Sequence, residues 1–129
     1  MQLICGGVLE KFPELKVAFV ESGAGWIPYW LHRMDEHYEA VPSFLPELKM
    51  EPSKYFKHQC WVATEGEEAD MESVLRFVGD DRVVWASDYP HFDCKLPGTL
   101  GWTKHSGLSE EVLEKLLGKN AAALYNLKV

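Results

Sequence analysis

The stretch Arg82-Val83-Val84-Trp85-Ala86-Ser87-Asp88-Tyr89-Pro90-His91 decides the fold. Its apolar run is short, rich in β-branched and aromatic residues, continuous rather than alternating, and cut off by an Asp-Tyr-Pro turn signal. That is how a strand buried on both faces of a parallel sheet reads. Two earlier stretches share the form. Lys16-Val17-Ala18-Phe19-Val20-Glu21 lies between Pro13 and the loop Ser22-Gly23-Ala24-Gly25, and Gln59-Cys60-Trp61-Val62-Ala63-Thr64 runs into Glu65-Gly66-Glu67-Glu68. Helical patterns fill the intervals. Gly7 to Phe12 reads as a helix end stopped by Pro13. Trp26 to Ala40 carries Ile27, Trp30, Leu31, Met34 and Tyr38 close to a 3.6-residue period, with Pro28 harmless in the first turn. A helix is expected from about Ala69 to Val78, stopped by Gly79, and another from a Ser109 cap to near Leu117, with a further turn from Asn120 to Leu127. Residues 41–55 hold Pro42, Pro46 and Pro52 and read as a long connection. Strand and helix alternate three times, so the class is α/β with parallel strands and right-handed crossovers.

Composition agrees with a folded chain. Its 129 residues, 47% hydrophobic and 26% charged, suit one domain with one core. Thirteen Lys and Arg against 20 Asp and Glu give a net charge of −7, which leaves no basic stripe for nucleic acid. No apolar run approaches the roughly 20 residues a membrane span needs, and the N-terminus lacks the basic start and apolar stretch of a secretory signal. Cys5, Cys60 and Cys94 are odd in number and far apart, neither a disulfide framework nor a zinc knuckle, so a reducing cytoplasm is the expected compartment.

Parallel α/β folds gather their chemistry at the carboxyl ends of strands. Here those ends carry Glu21, then Thr64 and Glu65, then Asp88 with His91 and Asp93. Asp88 and His91 offer a hard oxygen and an imidazole within one loop, suited to a metal or to an acid–base pair. Asp88 also suits a turn cap, as Asp before x-Pro often does. Glu21 is open between a base or ligand and an ion pair with Arg33 or Arg82. Gly23-Ala24-Gly25 has Pro28 where a dinucleotide fingerprint needs its third small residue, and reads as a tight strand-to-helix turn. His32 and His37 are five apart on a helix and share no face, whereas His58 and Cys60 are expected on one face of a strand.

Four longer stretches carry a family resemblance: Gly6-Gly7-Val8-Leu9-Glu10-Lys11-Phe12-Pro13-Glu14-Leu15-Lys16-Val17, Glu21-Ser22-Gly23-Ala24-Gly25-Trp26-Ile27-Pro28-Tyr29-Trp30, Trp85-Ala86-Ser87-Asp88-Tyr89-Pro90-His91-Phe92-Asp93, and Gly118-Lys119-Asn120-Ala121-Ala122-Ala123-Leu124-Tyr125. The chain resembles the C-terminal part of the amidohydrolase-related family, the metal-dependent hydrolases and decarboxylases related to aminocarboxymuconate-semialdehyde decarboxylase. The resemblance implies a (β/α)8 TIM barrel with a divalent metal, Zn or Mn, at its C-terminal face. It places the last-strand aspartate, a metal ligand or proton-transfer group, on Asp88, with Glu21 and His91 as further catalytic candidates. The histidine that many relatives carry after the sixth strand falls on Glu21, a departure shared by a hydratase- or hydrolase-like branch. Such a barrel takes about 250 residues and eight strands. This chain reads as strands six to eight, one partial barrel domain over residues 1–129, without the His-x-His that holds the metal in relatives. A metal-dependent hydrolase is therefore expected to act on a small-molecule substrate only when a homo-oligomer or partner chain completes the site. The other reading is a non-catalytic oligomerising module, since three strands leave bare edges and an apolar sheet face.

Overall fold

The computed structural model describes residues 1–65, 68, 70–92, 94, 98, 101 and 107–128. Three parallel strands, β1 (Val17–Phe19), β2 (Cys60–Thr64) and β3 (Val83–Trp85), pair in the order β1-β2-β3, so β2 is central and the other two are edges. The register sets Val17 against Cys60 and Val62 against Val83. All five β2 residues are buried, the continuous apolar signature expected of a strand with both faces covered. The outermost expected strand residues, Lys16, Val20, Glu21, Arg82, Ala86 and Ser87, lie outside the ladder, and Glu21 and Asp88 sit in the loops just past β1 and β3.

Helices cover one face. Ahead of β1, two single turns, α1 (Gln2–Cys5) and α2 (Val8–Lys11), replace the one expected helix end. Gly6-Gly7 makes the break: a Cβ on Gly6 would lie 2.4 Å from the Gln2 carbonyl oxygen, and Gly7 has φ +73°. The helix α3 (Ile27–Ala40) takes Pro28 in its first turn and buries Ile27, Leu31 and Met34. A 3-10 turn (Pro42–Phe44) follows. The stretch read as an irregular connection then ends in a helix, α4 (Pro52–Gln59). Pro52 stands at the helix start, where a missing N–H is harmless, so it begins the element instead of breaking it. Gln59 thereby closes α4 rather than opening β2, and His58 belongs to this helix, so the expected strand face shared with Cys60 does not exist. Gln59 donates its side-chain N–H to the carbonyls of Phe12 and Leu15 at 2.9 and 3.2 Å, tying α4 to the turn before β1.

After β2, α5 (Met71–Val78) ends at Gly79, whose φ of +94° stops the helix as its sequence position indicated. Ser109 caps α6 (Glu110–Glu114), accepting from the Val112 N–H at 3.4 Å. The helix does not stop near Leu117; it widens into a π turn (Lys115–Lys119) and continues as α7 (Asn120–Tyr125). Asn120, 4% exposed, donates to the carbonyls of Asp80 and Val83 at 2.7 and 2.6 Å, which pins this run to the start of β3.

The core has two parts. Ile4, Leu9, Ile27, Leu31, Phe56, Cys60, Val62, Val74 and Val83 fill the layer between sheet and helices, with Phe19 stacked on Phe56 at 5.8 Å and meeting Trp26 edge-on. The opposite face carries Trp61, Ala63 and Val84, and it is not bare. Leu124 and Ala121 of α7 pack on it near the amino ends of the strands. Lys16 Nζ donates to the last carbonyls of α7, Ala123 at 3.0 Å and Leu124 at 3.4 Å, a favourable place for a cation. Among the described residues no helix is long and apolar enough to cross a membrane.

Candidate functional site

At the carboxyl ends of the strands the same face opens into a hollow of about 340 Å³, floored by Val20, Ala63 and Ala86 and rimmed by Glu21, Glu65, Asp88, Tyr89 and His91. The small floor residues leave the space, and the rim carries the ionisable groups. Glu21, Asp88 and His91, the three site residues expected from sequence, thus come together around one cavity. Asp93 lies outside the described residues. Glu65 joins the rim from the end of β2 without having been singled out. The signal for it was its position one residue past a strand, which is where such folds place functional groups.

Local structure aims these groups. Asp88 begins a turn closed by its carbonyl oxygen accepting the His91 N–H at 2.9 Å, with the Tyr89–Pro90 peptide bond cis. Across that turn the Asp88 Oδ1 and His91 Nδ1 atoms lie 2.6 Å apart, so both readings of Asp88 meet here: it starts a turn and it pairs with the imidazole. The carboxylate is 16% exposed and the imidazole 55%, an arrangement with the acid inward and the ring at the mouth. Glu21 and Asp88 both adopt left-handed backbone, φ +55° and +57°, at corresponding places past β1 and β3. Neither is glycine, and such residues cluster where side-chain direction matters more than backbone ease. Arg33 pairs with Glu36 and Arg82 with Asp81, so the ion pair weighed for Glu21 is not made with either.

The remaining candidates sit elsewhere. His32 and His37 line the exposed side of α3, the first 3.7 Å from Glu36 and the second 2.8 Å from the Arg33 carbonyl. Cys60 is buried in the core, and desolvation pushes its thiol up to about 12. Larger hollows of about 690 and 400 Å³ flank Met1, walled by Phe19, Trp26, Tyr29, Trp30, Met34 and Phe44; they are apolar and lie away from the strand ends.

The donor set does not fit a divalent ion by itself. Among the described residues no three His, Cys, Asp or Glu side chains converge, and the nearest donor atoms of Asp88 and His91 face each other. A tetrahedral or octahedral ion takes more protein ligands than that.

Comparison with known proteins accounts for the shortfall. The 2-amino-3-carboxymuconate-6-semialdehyde decarboxylase of Dictyostelium discoideum is 28% identical over 97% of this chain and 35% of its own length. The 5-carboxyvanillate decarboxylase of Sphingomonas paucimobilis superposes with a TM-score of 0.85 at 28% identity, covering 98% of this chain and 38% of that one. That of Novosphingobium aromaticivorans, solved with manganese and 4-hydroxy-3-methoxy-5-nitrobenzoic acid, gives 0.84 at 27% identity, covering 98% and 37%. The chain thus spans little more than a third of the relatives it matches, and its three-stranded sheet is part of their TIM barrel. The sequence profile of the amidohydrolase family matches residues 1–127, and the chain belongs to that family.

Proposed function

We propose that this chain is the C-terminal wall of a divalent-metal-dependent enzyme of the amidohydrolase family, and that the completed enzyme removes a carboxyl group from a small carboxylated substrate. The observation that carries this reading is the Asp88–His91 pair at the mouth of the strand-end hollow. Decarboxylation releases CO2 and replaces a C–C bond with a C–H bond, consuming one proton. The site therefore needs a group that holds a proton and delivers it. A carboxylate bonded to an imidazole does so: the ring carries the proton, and the carboxylate fixes its orientation and favours its charged form. The decarboxylase relatives, one of them holding manganese, support the same reaction class.

Zn or Mn supplies Lewis-acid chemistry when bound. Asp88 is this chain's ligand for it in the completed barrel, and the other ligands come from residues that this chain does not carry. Glu21, facing the same hollow, is the second catalytic carboxylate. Residues 1–129 form one partial barrel domain, and the unpaired thiols suit a cytoplasmic setting. A homo-oligomer or a partner chain closes the open edges.

A specific observation favours hydrolysis as the second reading. Glu21 places a carboxylate at the end of β1, and a carboxylate takes a proton from water but does not polarise a carbonyl as imidazole does.

Elemental analysis after incubation with Zn²⁺ or Mn²⁺ and desalting tests the site. Metal retained by the wild-type chain or its assembly, and lost in Asp88→Ala, supports the reading. Equal retention in Asp88→Ala removes Asp88 from the ligand set. The isolated chain is expected to show no turnover, and robust turnover that survives Asp88→Ala overturns the proposal.

A further inference from the structure

The two loops that carry Glu21 and Glu65 are joined by a side chain that no part of the reaction above employs. Glu68, three residues past Glu65, accepts the Ala24 N–H on Oε2 at 2.6 Å, and its Oε1 lies 3.4 Å from the Glu65 nitrogen. Ala24 is fully buried, so its N–H has no water to turn to and depends on that carboxylate. The loop is shaped to receive it. A Cβ on Gly23 would lie 3.2 Å from the Glu68 carboxylate oxygen, and Gly23 holds φ +61°, so both space and backbone call for glycine there. The far side of the loop is fixed independently: the Trp26 indole N–H donates to the Gly23 carbonyl at 2.9 Å, and the same ring packs edge-on against Phe19 of β1. Glu21, with its left-handed backbone, is only three residues from the Ala24 anchor and depends on that anchor for its direction.

We infer that Glu68 is a positioning residue that clasps the loop after β1 to the loop after β2 and so holds Glu21 over the hollow it shares with Glu65 and Asp88. A charge-assisted bond to a buried amide is short and directional, which suits it to fixing a neighbouring side chain. The inference rests on the reading that Glu21 and Asp88 face one site. It is tested without turnover or metal, so its failure and the failure of that reading are distinguishable.

Amide NMR of the full chain supplies the test. In the wild type the amides of Glu21 to Ala24 should be ordered, and Ala24 protected from exchange. In Glu68→Ala, protection at Ala24 should fall by about tenfold or more, and the order parameters of Glu21 and Ser22 should drop toward about 0.6. Glu68→Gln keeps an acceptor oxygen at the same reach and should restore both. Glu68→Asp keeps the charge but retracts the oxygen by one methylene and should behave like Glu68→Ala, which separates reach from charge. The amides of Asp88 and His91 and the thermal midpoint serve as controls and should stay in place. Unchanged Ala24 protection and Glu21 order in both Glu68→Ala and Glu68→Asp overturn the inference. So does a Glu68→Gln variant that loses them as fully as Glu68→Ala. Should Glu68→Ala fail to fold, the contrast between Glu68→Gln and Glu68→Asp decides alone.

Discussion

Glu21 and Asp88 sit in the left-handed backbone region at the ends of two strands, and that conformation opposes stability at the residue scale. Asparagine tolerates it better than glutamate because its short side chain bonds locally. Glu21→Asn should therefore raise stability by up to about 1 kcal/mol, which is about 3–5 °C in thermal midpoint for a domain of this size. A lowered midpoint would mean that Glu21 makes a stabilising contact outweighing its backbone strain. Cys60 illustrates the opposite use of a titratable group. Burial raises its thiol to about 12, so at pH 8 only about one part in ten thousand is thiolate. Alkylation of the native chain at pH 8 should leave Cys60 unmodified and label it on denaturation. By linkage, its burial favours folding below the ordinary thiol value of 9.0, and that contribution is lost as pH rises toward about 12. Ready native-state labelling would show that the core around Cys60 opens.

At the scale of elements, α4 is where pattern reading and packing part. Its residues Tyr55 and Phe56 are each 1% exposed, and both are anchored by partners distant in sequence. Phe56 stacks on Phe19, so Phe56→Ala should destabilise the chain by about 3–5 kcal/mol, measured by urea unfolding. The Tyr55 hydroxyl donates to the Glu10 carboxylate and accepts the Lys49 N–H at 2.9 Å, while Lys49 Nζ also bonds to Glu10. Tyr55→Phe should cost about 1 kcal/mol through those two bonds. The Lys49 ammonium, and then the Tyr55 hydroxyl, hold the Glu10 carboxyl below its ordinary 4.5. A depressed carboxyl stabilises the fold above that ordinary value, and the contribution fades as pH falls through the lowered one. Urea midpoints should therefore drop below about pH 4.5 in the wild type and less steeply in Glu10→Gln, while parallel slopes would remove this network from the acid response.

On the whole-molecule scale the sheet ends at two edges, β1 and β3, and the hollows around Met1 expose Tyr29, Trp30 and Phe44 at 66%, 38% and 77%. Contiguous apolar surface of that kind associates in water. Sedimentation equilibrium should show a mass that rises above the monomer with concentration, and Phe44→Lys should lower it. A monomer mass at every concentration would show that the face stays solvated. The inner sheet face contributes less to association than three bare strands would, because α7 already covers Trp61 and Val84.

Much of this was legible in the chain itself. The three short apolar runs specify three buried parallel strands, because continuous β-branched and aromatic residues cut off by turn signals have few other folds. The same runs place Glu21, Glu65 and Asp88 at strand ends, since parallel strands send their loops to one side. Gly79 and Ser109 mark a helix end and a helix start through backbone rules that act locally. Tertiary structure alone decided the rest. Pro52 reads as a breaker until Tyr55 and Phe56 find Glu10 and Phe19, and only then does the segment settle as a helix. The closing of the inner face by α7 depends on Lys16 meeting the carbonyls of Ala123 and Leu124, more than a hundred residues away. The Glu68 contact to Ala24 spans 44 residues. Strand ends and caps are set by neighbours in sequence, whereas a hydrogen bond or a packed face needs a partner that only folding brings near.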